Sequence, residues 1–223
     1  MTRSPSLFYI APFASLIAVL AVQRAFVLPP LLMEGGSVAI VTAVIALSWR
    51  RTPDLQPGKF GLCYGFGSRI VGAAAFLLWN APDVLIPGYR HRPWFENPLF
   101  GKFVPGLSEA ARAQPAVRAL RAIALAPAAE ELFWRAWWMR WLVQDKFLEL
   151  PLGTYSPLSF WLVALLFGME HGPQWEVGIA TGILYNWWMV RTKSLGDLIL
   201  VHATTNACLS AYVLTTGKWE YWP

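Results

Sequence analysis

Apolar stretches long enough to enter a bilayer recur along the whole of this 223-residue chain, and they restrict its fold more than any other feature. Seven candidate spans can be marked: Leu7–Val22, Val38–Trp49, Gly61–Asn80, Val117–Val143, Leu158–His171, Trp175–Val190 and Leu195–Thr215. Only 14% of the residues are charged, against about 25% for a soluble domain. The expected fold is therefore an all-α polytopic transmembrane bundle of about seven spans, enclosing an intramembrane polar cavity. The short second span extends back through Leu31 if Glu34 is accommodated near an interface. The run Leu7–Val22 is too long for a signal-peptide core and reads as a retained first span.

Connections are short except for Pro82 to Gln114, where Pro82, Pro87, Pro93, Pro98 and Pro105 break any long helix. Arg90, His91, Arg92, Trp94 and Phe95 suit a loop lying at lipid headgroups, with a substrate lid as the sharper alternative. The division expected is residues 1–116, N-terminal helices plus this interfacial loop, and residues 117–223, the part that carries chemistry. The net charge of +5 is assigned to loop bias and attraction to anionic lipid, not to nucleic acid, for which no reading motif is present. Orientation is balanced. Arg3, Arg50, Arg51, Lys59, Arg140, Lys146, Arg191 and Lys193 fall on one side. Arg24, Arg90, Arg92, Lys102, Arg112, Arg118, Arg121 and Lys218 fall on the other. Cys63 and Cys208 read as small core residues without a disulfide. Trp137, Trp138, Trp141, Trp187 and Trp188 fit an aromatic belt.

Polar residues inside such spans are costly, and a function is the default reading. Three one-turn pairs stand out: Glu130–Glu131 with Arg135, Phe167 with His171, and His202 with Asn206. Glu131 and Arg135 are spaced for an ion pair on a helix. Glu130 is rotated by about 100° from Glu131 and must face something else. His202 and Asn206 share one helix face, and both can donate hydrogen bonds into a dry cavity, as an oxyanion site requires. The bland readings are an internal polar seam for the first pair, an interfacial histidine beside an interfacial Glu170 for the second, and interhelical hydrogen bonding for the third. In the sixth span Gly178 and Gly182, and in the fifth Gly168, are set for close helix approach.

Taken together, Glu-Glu-x-x-x-Arg, Phe-x-x-x-His and His-x-x-x-Asn in this order resemble the CAAX-protease and bacteriocin-processing family, the family of the type II prenyl endopeptidases. The resemblance covers about residues 117 to 215. The runs EELFWRAWWMRWL, LLFGMEHGPQWEVGIATGILYNW and YVLTTGKWEYW resemble a narrower group, the CAAX-protease-related proteins of bacterial exosortase systems. The family resemblance implies an intramembrane endopeptidase in which Glu130 is general base for a water, His171 helps to hold it, and His202 and Asn206 stabilise the oxyanion. Glu131, Arg135 and Phe167 are then structural support. One departure is Glu170, where the family often has an apolar residue.

Implied partners are membrane lipid and a membrane-associated protein or peptide substrate, and the implied location is a bacterial inner membrane. A metal is the competing chemistry, with Glu130, His171 and His202 as zinc ligands. The absence of an HExxH helix and the poor ligand Asn206 favour a metal-free site. No serine or cysteine sits in a triad-like setting, which argues against a covalent intermediate. Two non-enzymatic readings compete: a membrane chaperone or immunity-type binder using the same cavity, and a transporter with a midplane acidic site. The transporter reading lacks paired or inverted halves.

Overall fold

The computed structural model describes residues 4–26, 29–92, 95 and 115–221. Among them the fold is all-α, and seven main helices follow the seven apolar runs. They are α1 (Ser6–Ala25), α2 (Pro30–Trp49), α3 (Gly65–Leu85), α4 (residues 115–141), α5 (Pro157–Met169), α6 (Trp175–Thr192) and α7 (Leu195–Thr216). Within α1, α2 and α7 lie stretches long and apolar enough to cross a membrane, and α5 is a shorter apolar helix. The chain is an all-α membrane protein.

Local chemistry sets the helix ends. Proline occupies the first turn of α2, α4 and α5, where its missing N–H costs nothing. Ser194 caps α7 by accepting the Asp197 N–H at 3.1 Å. Gly217 ends that helix in the left-handed region at φ 71°, its N–H returning to the Val213 carbonyl at 2.8 Å. Two expectations change. Helix α2 does extend back to Pro30, but Glu34 is buried and not interfacial. Pro82 does not break α3; it lies in its last turn.

Helix α7 sits at the centre, packed on α3, α4 and α6, while α1 packs on α2 and α4, and α5 on α6. Close approach depends on missing side chains. A Cβ on Gly178 would stand 2.9 Å from Gly168 Cα, and one on Gly182 would stand 3.0 Å from the Ala164 carbonyl. The glycines of α6 therefore press its backbone against α5 as their spacing indicates. Thr205 in α7 donates to the Gly72 carbonyl of α3 at 3.0 Å. Asp197 accepts from Cys63 N, Tyr64 N and Ser68 Oγ at 2.7–2.9 Å and fixes the start of α3 to the start of α7.

Several residues read as loop, core or belt are placed differently. Arg140 is buried and paired with Asp54, which also accepts from Tyr9 at 2.6 Å. Arg90 is buried between Asp83 and Glu176, at 3.1 and 2.7 Å. These arginines are internal ion pairs and do not belong in a count of loop charge. Cys63 is exposed, not core. Trp188 is buried in the main core, while Trp141 and Trp187 are exposed. Of the long connection, residues 93, 94 and 96–114 lie outside the described residues, as does the side chain of His91, so the lid reading falls outside them too.

Candidate active site

Helix α4 is not regular. It is π-helical over Arg121–Leu125 and again over Leu132–Trp138, with Ala126–Glu131 as ordinary α-helix between. Wide turns of this kind re-aim side chains and recur at functional sites. Here they flank the adjacent glutamates.

Glu131 and Arg135 form a fully buried ion pair, Arg135 Nη1 donating to both carboxylate oxygens at 3.1 Å. Arg135 Nε donates to Asn186 Oδ1 at 2.9 Å, and Asn186 donates in turn to the Phe160 carbonyl at 2.7 Å. The guanidinium lies 4.1 Å above the Phe167 ring centroid. A buried charge needs such a set of partners to offset its desolvation. The arrangement ties α4, α5 and α6 together. Phe167 has a double use, because its ring also backs His171 at 4.7 Å and His202 at 6.1 Å.

The other oxygen-bearing side chain takes a different direction. Glu130 makes no ion pair with Arg135 among the described residues. Its Oε2 is buried, has no hydrogen-bond partner among them, and lies 3.9 Å from His202 Nε2. His202 Nδ1 meets Glu131 Oε1 at 2.7 Å. A carboxylate only accepts, so Nδ1 carries the proton and Nε2 is turned towards Glu130. His171 is oriented in the same manner, Nδ1 donating to the Phe167 carbonyl at 2.6 Å. A ligand atom of His171 lies within 4.8 Å of one on Glu130.

These groups line one cavity of about 480 Å³, with Glu130, Phe167, His171, His202 and Asn206 all in its wall. Glu131 and Arg135 are behind the wall. Four polar side chains from α4, α7 and the turn after α5 thus line one cavity, with His202 Nε2 3.9 Å from Glu130 Oε2 and a ligand atom of His171 within 4.8 Å of one on Glu130. Asn206 differs in detail from expectation. Its amide already donates to the Ala122 carbonyl at 2.7 Å, in the first π stretch of α4, which leaves one N–H for the cavity.

Two sets of residues were not assigned to the site from the sequence. Glu170, read as interfacial, lines the cavity and accepts from Trp134 Nε1 at 3.1 Å. It also changes the candidate metal set. Among the described residues the group compact enough for a cation is Glu130, Glu170 and His171, with ligand atoms within 4.8 Å of one another; His202 is not in it. The second set is Glu34, Arg118 and Arg121, also in the cavity wall. The cavity wall also includes Phe13, Leu16 and Gln23, so α1 and α2 build it together with the helices after residue 116.

Residues 112–208 match the family model described as type II CAAX prenyl endopeptidase Rce1-like. No curated protein and no solved structure matches the chain. The matched segment holds α4 from its start, all of α5 and α6, and α7 as far as two residues beyond Asn206, and therefore every polar side chain of the three motifs. This segment is therefore similar to the Rce1-like type II CAAX prenyl endopeptidases, a likeness that covers residues 112–208 and not the helices before them.

Proposed function

We propose that the protein is an intramembrane endopeptidase that hydrolyses a peptide bond of a membrane-associated protein with a water activated by Glu130. The observation that carries this reading is Glu130 Oε2, buried without a hydrogen-bond partner among the described residues, on a side chain that lines the same cavity as two histidines whose tautomers are set by other groups. Buried polar atoms without partners in a native protein call for an explanation, and a reacting water is the one that fits this wall.

In this mechanism Glu130 takes a proton from the water as its oxygen bonds to the scissile carbonyl carbon. His171, with Nδ1 committed to the Phe167 carbonyl, has Nε2 free to accept the water's second hydrogen bond. The oxyanion lies between His202 Nε2 and the remaining Asn206 N–H. His202 donates at Nε2 only in its doubly protonated form, and the Glu131 carboxylate at 2.7 Å stabilises that cation. The carbon–nitrogen bond then breaks, and Glu130 returns its proton to the leaving amine. No covalent enzyme intermediate and no metal enters these steps.

The same reading places the protein as a multi-pass protein of a bacterial inner membrane. Its link to an exosortase system rests on the tryptophan-rich sequence runs alone. The experiment is cleavage of a quenched prenylated peptide by protein in liposomes, with Glu130→Gln as the comparison. Loss of cleavage with retained fold supports the enzyme. Equal cleavage by the variant, or binding of the peptide without cleavage by either protein, favours a non-catalytic binder.

A further inference from the structure

The hydrolytic steps need His171 held in place, yet it lies outside the regular helices. Helix α5 ends at Met169, and Gly172–Gln174 form a short 3-10 turn before α6. Gly172 in that turn is left-handed, at φ 58°. Short connecting turns open more easily than the helices they join, so the position of a side chain there depends on what holds the turn.

Arg90 holds it from outside. This residue stands in the turn Tyr89–His91, after the end of α3, and is 7% exposed. Its Nη1 donates to the Pro173 carbonyl at 2.7 Å and to Glu176 Oε2 at 2.9 Å, and its Nε donates to Asp83 Oδ2 at 3.1 Å. The guanidinium also lies over the Tyr89 and Phe95 rings, 5.5 and 5.1 Å from their centroids. Pro173 is two residues after His171 and lines the cavity, and Glu176 is in the first turn of α6. One planar cation thus joins the end of α3 both to the turn and to the helix that follows it. Neutralising two carboxylates would not require the Pro173 carbonyl; that bond is the part of the cluster that reaches the turn beside His171.

Helix α3 reaches His171 by a second route. Trp79, one turn before Asp83 on the same face, meets the His171 ring edge-on at 5.2 Å. The end of α3 therefore supports the ring through Trp79 and its backbone through Asp83 and Arg90. His171 in turn has a ligand atom within 4.8 Å of one on Glu130. Asp83 and Arg90 both precede residue 112, so this support comes from outside the segment that matches the family model.

We propose that Arg90 is a positioning residue, which sets His171 beside Glu130 by clamping the Pro173 carbonyl and Glu176 to the end of α3. It touches neither the substrate nor the reacting water. Its effect on rate rests on the proteolytic reading of the cavity, in which His171 helps to hold that water.

The first readout is cleavage of the quenched prenylated peptide in liposomes, per folded molecule. Arg90→Gln lowers kcat by roughly 10- to 100-fold with KM nearly unchanged, the scale of a misplacement of about 1 Å. In a His171→Ala background the same substitution lowers kcat by less than about 2-fold, because the group it positions is already gone. An equal loss in both backgrounds, or a wild-type kcat in Arg90→Gln, overturns the role and leaves a structural ion-pair cluster. The second readout needs no activity. The chain has three histidines, His91, His171 and His202, so selective isotope labelling lets their ring signals be followed by NMR and assigned by single substitutions. In Arg90→Gln the His171 signals shift or broaden while those of His202 stay. Unchanged His171 signals, or equal changes in both, overturn the clamp. If wild-type protein cuts no peptide, the proteolytic reading fails, and these signals alone decide the clamp. The triple variant Arg90→Gln/Asp83→Asn/Glu176→Gln, which strands no carboxylate, is read in the same way if the single variant folds poorly.

Discussion

His202 Nδ1–H donates a hydrogen bond to Glu131 Oε1 at 2.7 Å, and this one bond decides which face of the ring the cavity receives. Glu131→Gln keeps the shape but offers no negative charge to a protonated ring. We expect kcat to fall by about 10²-fold or more with KM nearly unchanged, as loss of transition-state stabilisation alone requires. A rise in KM at constant kcat would place Glu131 in substrate binding instead.

Arg135 is the support with most to lose. Arg135→Ala strands the buried Glu131 carboxylate and removes the link to Asn186, at a cost of roughly 3–5 kcal/mol. The melting temperature in detergent should drop clearly, and folded yield with it. Arg135→Lys should not restore either, because an ammonium cannot hold Glu131 and Asn186 in one plane while lying over Phe167. A melting temperature equal to wild type in Arg135→Ala contradicts the structural role.

The glycine contact of α5 and α6 is a packing claim with its own readout. Gly178→Leu drives a side chain into the Gly168 backbone, where even a Cβ meets Cα at 2.9 Å. Overpacking of this kind costs about 1–3 kcal/mol, occasionally more. Unchanged thermal stability would mean that the helices are farther apart.

Much of this was legible in advance because it depends on spacing within one helix. The apolar runs locate all seven helices, and the one-turn rule pairs Glu131 with Arg135 and separates Glu130 from it. What was not legible depends on distant partners. Arg140 and Arg90 look like loop cations until Asp54, Asp83 and Glu176 are seen beside them. Glu34 is 84 residues from Arg118 and 87 from Arg121, and no periodicity reports that pairing. Glu170 sits one residue before His171, at the C-terminal end of α5, where an acid reads equally as solvent-facing or cavity-facing. The π stretches of α4 leave no mark in residue types. Asn186 did carry a signal, a lone amide in an apolar helix, which marks an interhelical hydrogen bond.

The metal question has a direct answer on purified protein. We expect cleavage to survive exhaustive chelation, with metal analysis as control, since one oxygen of Glu170 in the Glu130–Glu170–His171 cluster is already engaged by Trp134. Glu170→Gln should keep most of its activity. Activity lost on chelation and restored by zinc, together with an inactive Glu170→Gln, would make that cluster a catalytic metal site.

The central claim is that Glu130 is the base, and Glu130→Gln in liposomes measures it most directly. The variant keeps the shape of the side chain, so the melting temperature should stay close to wild type. Single-turnover cleavage of the prenylated peptide should fall by at least ~10²–10⁴-fold, the usual contribution of a general base. Cleavage within a few-fold of wild type, in a variant that folds as well, would contradict the account.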